Sequence, residues 1–220
     1  TSDVELRQRS LRMADMAADG WSFSGSEASA LLSKLRHTST SLVGYVPEHK
    51  VFRGLITGLN SAYIVSESVR DDLIAQDMRC SEFLKPIVMG KDVRRFHIEN
   101  RGQYLIWAYN GSGVETCTPI LRHLATFQPA ISRRQDQGEN WWNLRACTYY
   151  HLFPRTKIIF PDMAINCRFS LDTDGFFSTN TTYFLATGDT YLLGLLNSKL
   201  AYFYFREVCA SLEGSGTAYL

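Results

Sequence analysis

The sequence predicts an α+β fold: a mixed or antiparallel curved sheet with packed helices, ending in a long helix. Three observations predict it. Short apolar runs rich in aromatic and β-branched residues recur through the chain, as buried strands require. Segments of helical period are interspersed among them without regular strand–helix–strand alternation. The 220 residues are 45% hydrophobic and 20% charged, enough for one large domain or two closely packed lobes around a substantial core.

The elements follow in order. Ser24 and Glu27 have capping-box spacing, and Ala28, Leu31, Leu32 and Leu35 recur with helical period, which predicts a helix over 27–37 ending in the polar run HTSTS. Residues 51–65 are β-like but broken by Gly54, Gly58 and Asn60, so two short strands around a tight turn are expected. Ser66 then caps a helix over 67–76. Runs 104–109 and 157–160 predict buried strands, and 168–171 and 183–186 further ones. A helix over 119–127 carries Pro119 in its first turn, where proline is tolerated. The longest helix is expected over 190–209, capped by Asp189, with Leu192, Leu193, Leu195, Leu196 and Leu200 on its core face and Asn197-Ser198-Lys199 as a surface polar break. The domain reading is one unit, 1–220, divisible into sub-lobes 1–100 and 101–220. Both ends look like cuts through a longer polypeptide.

Formal net charge is only +1, which speaks against a uniformly basic nucleic-acid binder, but its distribution is uneven. Five basic residues stand against two acidic ones over 85–101, and seven against three over 122–168, while 67–82 is acidic. Local potential is what phosphate contacts need, because screening confines the interaction to about 10 Å. The cysteines Cys80, Cys117, Cys147, Cys167 and Cys209 are widely spaced, without a zinc pattern, and read as reduced thiols of a cytoplasmic protein. No signal peptide or membrane-length apolar run is present, so no membrane partner is expected.

Catalytic signatures are missing. A DNA methyltransferase needs a glycine-rich cofactor loop and an [N/D/S]PP[Y/F/W] loop, and neither occurs; nor do GxGxxG, GxxxxGK[ST] or HExxH patterns. The nearest approach to a metal-dependent nuclease is Asp162 with Lys157, in the wrong order, or Asp172 with Asp174, which read better as turn formers beside Gly175. The five histidines share no spacing and read as structural.

Four stretches carry a resemblance. Residues 52–60 (FRGLITGLN) continue into AYIV at 62–65; LKP at 84–86 leads to GKDVRRF at 90–96; 121–143 reads LRHLATFQPAISRRQDQGENWWN; and 191–200 reads YLLGLLNSKL. In this order and spacing they resemble the TaqI-like C-terminal specificity domain of adenine-specific DNA methyltransferases and single-chain type II restriction-modification enzymes. The resemblance implies a cytoplasmic target recognition domain that is non-catalytic in itself, has double-stranded DNA as partner, and belongs to a longer enzyme. That enzyme's methyltransferase domain, in the same polypeptide, would bind S-adenosylmethionine and methylate an extruded adenine. The family's usual "LPIP"-like segment after the fourth motif is not found.

On this reading, Arg53, Thr57 and Asn60 offer donors to phosphates or base edges, the competing reading being a tight turn with a structural asparagine. Lys91, Arg94 and Arg95 crowd into five residues after Gly90, as DNA contacts or as a solvated basic loop. Arg133, Arg134, Gln135, Gln137, Asn140 and the Trp141-Trp142 pair form the most polar-plus-aromatic stretch; as a strand it would turn one ring to the core and leave Trp142 to pack along sugars. Arg145 and Lys157 extend the same charge sign along the expected cleft, and Asn180, Thr181 and Thr182 read mainly as turn residues. Two other classes stay open: a protein-interaction module of a modification or phage-defence complex, and a nuclease with an unrecognised site.

Overall fold

The structure is a computed structural model that describes residues 26–46, 50–135, 137–209 and 218–219. In chain order its elements are α1 (Ser26–Thr38), α2 (Leu42–Tyr45), β1 (Phe52–Arg53), α3 (Asn60–Tyr63), β2 (Ile64–Ser66), α4 (Glu67–Gln76), β3 (Leu84–Val88), β4 (Val93–Arg94), β5 (His97–Ile98), β6 (Gln103–Ile106), α5 (Thr118–Ala125), α6 (Gln128–Ile131), β7 (Lys157–Pro161), β8 (Met163–Ala164), β9 (Ser170–Asp172), β10 (Phe177–Ser178), β11 (Thr182–Leu185), α7 (Thr190–Leu196), α8 (Lys199–Val208) and β12 (Ala218–Tyr219). The class is α+β.

Two four-stranded sheets organise the chain. The first, in order β1-β11-β7-β9, is antiparallel throughout; the second, β10-β3-β6-β2, is mixed, with β10 parallel to β3. Because β10 belongs to the second sheet and β11 to the first, the chain crosses between them in the turn Thr179–Thr181, and a bridge from Leu55 to Thr179 joins β1's continuation to that turn. Alternation along β7 and β11 serves both faces of the first sheet: Ile159 and Phe184 enter the larger core, Ile158, Phe160 and Leu185 the smaller one beneath α7 and α8. A ladder of rings, with Phe153 stacked on Phe177 at 5.2 Å and tilted on Phe184 at 5.1 Å, ties the sheets together. Each such fully buried ring stabilises the fold by about 1.5–3 kcal/mol through the area removed from water. The larger core draws on residues from Phe52 to Phe184.

Local chemistry sets the helix starts. Ser66 accepts from the Val69 N–H at 3.4 Å and Asp189 from the Leu192 N–H at 3.0 Å, the caps that the sequence predicts. Ser24 lies outside the described residues, but α1 occupies the expected span, with Leu32 buried.

Several expectations are corrected. The single helix over 190–209 is two helices, because Asn197 turns inward and is buried. Its amide donates to the Phe169 carbonyl at 2.8 Å and accepts from the Phe169 N–H at 3.2 Å, while Ser198 goes extended and caps α8 by accepting from Ala201 N–H at 3.1 Å. The 51–65 segment holds β1 and β2, yet they join different sheets, with α3 between them. Cys80 and Cys117 form a disulfide with Cα atoms 5.9 Å apart, so the reading of five reduced thiols fails for this pair; Cys147, Cys167 and Cys209 are free. Lys157 lines no cleft: it is fully buried, ion-paired to Asp172 and bonded to the Phe153 carbonyl. Burial pulls its ammonium below the ordinary lysine range and pushes the Asp172 carboxyl up, while mutual attraction opposes both. Asp172 also accepts from the N–H groups of Asp174 and Gly175, and Gly175 has positive φ, the turn expected there.

Candidate nucleic-acid interface

One end of the first sheet collects polar residues from every strand. β1 ends at Arg53, β7 runs into Asp162, β9 is preceded by Arg168, and β11 is preceded by Asn180 and Thr181; the antiparallel registers Arg53↔Tyr183, Thr182↔Pro161 and Ile159↔Ser170 bring these termini to the same edge. The loop from Gly90 to Arg95 closes over that edge, since the Gly90 N–H donates to Thr181 Oγ1 at 2.9 Å.

The turn at the sheet junction is fixed by backbone bonds. The Asn180 N–H donates to the Leu55 carbonyl at 2.8 Å, Thr179 N–H to Val88 at 3.1 Å, and Asp162 N–H to Thr181 at 2.9 Å. Buried Thr182 donates through Oγ1 to the Thr179 carbonyl at 2.8 Å, so it serves turn chemistry. Gly54 and Gly90 are required by close approach: a Cβ on Gly54 would collide with the Thr179 carbonyl, and one on Gly90 with the Thr181 carbonyl. Arg53 is exposed, donates through Nε to the Asn180 carbonyl at 3.3 Å, lies 4.0 Å from Asp162 and 5.8 Å over the Tyr183 ring. Among the described residues the side-chain amide of half-buried Asn180 has no hydrogen-bond partner.

The other residues singled out in the sequence divide in two. Lys91 and Arg95 are exposed beside the junction, Arg95 stacking on Phe96 at 5.2 Å. Arg94 is half-buried and bidentate to Glu99 at 2.9 and 3.2 Å, with a further bond to the Lys91 carbonyl, so it braces its own loop. A second group lies along the continuation of β1. Thr57 is buried and donates to Asn60 Oδ1 at 2.6 Å, the structural-asparagine arrangement. Arg134 donates to the carbonyls of Thr57 at 2.7 Å, Ile131 at 3.1 Å, Trp141 at 3.2 Å and Asn143 at 2.7 Å. Trp141 and Trp142 occupy a turn rather than a strand; their rings stand perpendicular at 5.5 Å and both pack on the larger core, with the Trp142 indole N–H buried and unpartnered. Arg133 and Arg145 are exposed, and the Arg145 carbonyl accepts from the Tyr150 hydroxyl at 2.6 Å.

Arg168 and Asp162 were not singled out as contacts in the sequence. The available signal was positional: each flanks a strand whose register carries it to the edge where Arg53 ends. Among the described residues, no group of three or more His, Cys, Asp or Glu side chains is placed to hold a metal ion, and Asp162 and Lys157 flank opposite ends of β7. No helix there is long and apolar enough to cross a membrane.

Residues 85–217 match the TaqI-like C-terminal specificity domain. The chain belongs to this family. The matched span of the specificity domain includes the Gly90–Arg95 loop, the sheet-junction turn and both final helices, while the 52–65 segment precedes it. No curated protein matches the chain in sequence. Among solved structures it resembles the Type IIL restriction-modification enzyme MmeI, solved in complex with DNA, with a TM-score of 0.60 at 12% identity over 82% of this chain. The likeness at that identity is one of fold, and the match spans 24% of the MmeI chain.

Proposed function

We propose that this specificity domain recognises double-stranded DNA for an adenine-specific methyltransferase or type II restriction-modification enzyme, choosing the site without itself catalysing a reaction. The observation that carries the reading is the sheet junction: an unpartnered Asn180 amide on an immobilised turn, flanked by the exposed cations Arg53 and Lys91. Asparagine can bond adenine bidentately at N6 and N7, worth about 1–3 kcal/mol of discrimination, while arginine and lysine beside it supply phosphate affinity. MmeI's structure with DNA agrees with this use of the fold. The partner would be a methyltransferase domain in the same polypeptide, holding S-adenosylmethionine and working in the cytoplasm on genomic DNA.

The test is selection of bound duplexes from a randomised pool by the 220-residue chain, followed by affinity measurements at several salt concentrations. A preferred sequence is expected, with Asn180→Ala relaxing the preference at one position and Arg53→Gln lowering the slope of log affinity against log salt by about one. Absence of any enriched sequence, together with salt-independent binding, would refute the reading.

The docking-module alternative has one observation in its favour. Tyr191, 75% exposed, and Leu195, 46% exposed, stand one turn apart on α7, whose cap Asp189 accepts from the exposed Tyr45 hydroxyl at 2.7 Å. An apolar face of this kind suits a protein neighbour, and charged substitutions there that abolish complex assembly while sparing duplex selection would assign it.

A further inference from the structure

The backbone of Phe169 is a meeting point. Its carbonyl accepts both from the Phe96 N–H at 3.0 Å and from the Asn197 amide at 2.8 Å, and its N–H donates to Asn197 Oδ1 at 3.2 Å. Each element held there carries a cation within two residues of the junction: Arg95 before Phe96, Arg168 before Phe169, Lys199 after Asn197. All three line one pocket of about 390 Å³, together with Arg94, Asn166, Cys167, Asn197, Ser198 and Tyr202.

No carboxylate lines this pocket. Several of the chain's other cations are matched with acids: Arg70 with Glu67 and Asp71, Arg101 with Asp92 and Glu99, and Lys157 with Asp172; within the pocket wall Arg94 is matched with Glu99. Among the described residues Arg95, Arg168 and Lys199 have no acidic partner, so a protein of net charge +1 concentrates unmatched positive charge at this point. The start of α8, a ten-residue helix capped by Ser198, adds the positive end of its dipole to the same wall. Asn197, committed to Phe169, fixes the spacing of the cations.

We propose that this pocket is a phosphate site, taking a backbone phosphodiester of the duplex beyond the stretch faced by the sheet junction. This rests on the DNA-recognition reading above. Arg168 and Lys199 clamp the phosphate oxygens, Arg95 adds charge, and Tyr202 forms a wall for the attached sugar. The site supplies affinity and register and no sequence information, because phosphates are alike along the duplex.

The experiment compares the full chain with Arg168→Gln/Lys199→Gln, both positions lying outside the cores, after thermal melting has verified equal stability. Duplex affinity is measured against salt, and protection against unfolding is measured with inorganic pyrophosphate. A salt slope lower by about two, with affinity reduced alike for all sequences, supports the proposal. An unchanged slope with pyrophosphate protection lost in the variant assigns the pocket to a free phosphate compound and overturns the duplex assignment. Unchanged behaviour in both arms overturns the site altogether. Should the unmodified chain bind no duplex at all, the recognition reading fails instead, and the pyrophosphate arm still decides whether the pocket takes phosphate.

Discussion

The guanidinium of Arg134 lies 4.9 Å above the ring of Tyr63, and the Tyr63 hydroxyl donates to the carbonyl of Trp142 at 3.0 Å, so two side chains lock the 141–143 turn to the β1 continuation. Burial pushes the Tyr63 hydroxyl pKa up to about 12, against the opposing pull of Arg134. Arg134, singled out in the sequence as a DNA contact, thus has its donors occupied by protein carbonyls. Arg134→Gln should cost about 2–3 kcal/mol of stability in urea unfolding, the scale of charged hydrogen bonds lost, and leave the salt slope of duplex binding in place. Full stability with a slope reduced by one would identify it as a phosphate ligand instead.

The buried Lys157–Asp172 pair gives a thermodynamic cycle. Lys157→Met alone strands a carboxylate and should destabilise by about 3–5 kcal/mol. Asp172→Asn keeps the turn's acceptor but strands the ammonium, with a similar loss. Combined, the two changes should recover most of the deficit, and additive losses in the double variant would show that the pair has no coupling.

Gly54→Ala drives a methyl group into the Thr179 carbonyl and should destabilise by about 1–3 kcal/mol, as overpacked sites do. Gly111→Ala is the informative comparison: nothing lies near its Cβ position, but its φ is +79°, so its loss arises from backbone strain and leaves the junction intact. Duplex selection should be altered by Gly54→Ala and unaffected by Gly111→Ala.

Burial lowers the His123 imidazole below the ordinary histidine range, opposed by the bond from its Nε2 to the Ala62 carbonyl at 3.2 Å. The unfolded chain takes up this proton near pH 6.5 while the folded chain resists it, so the neutral form favours folding. The resulting stability is complete above about pH 6.5 and declines as pH falls through the folded value. Unfolding free energies at pH 7.5 and 5.5 should therefore diverge more for the natural chain than for His123→Gln, which keeps a donor but does not titrate. Equal divergence would exclude this histidine as the cause.

What the sequence made legible was whatever neighbours in the chain decide. Ser66 and Asp189 announce their helices because a cap bonds three residues ahead, and residues 158–160 announce a strand because all three are apolar. The break at Asn197 was hidden because leucine periodicity runs straight through it, and only the distant Phe169 backbone explains why that asparagine turns inward. Arg133 and Arg134 read alike in sequence; one is exposed and the other half-buried, bonded to carbonyls of residues 57, 131, 141 and 143. Arg95, Arg168 and Lys199 fall in three separate segments, so the pocket they line had no sequence pattern to betray it.

The junction turn keeps its shape through Gly54, Gly90, Thr179 and Thr182, none of which is Asn180, the residue it displays. On the proposed reading, endurance and choice therefore reside in different codons. A lineage would then exchange the displayed amide by a single substitution and inherit the scaffold unaltered, so that preference drifts quickly on a framework that drifts slowly.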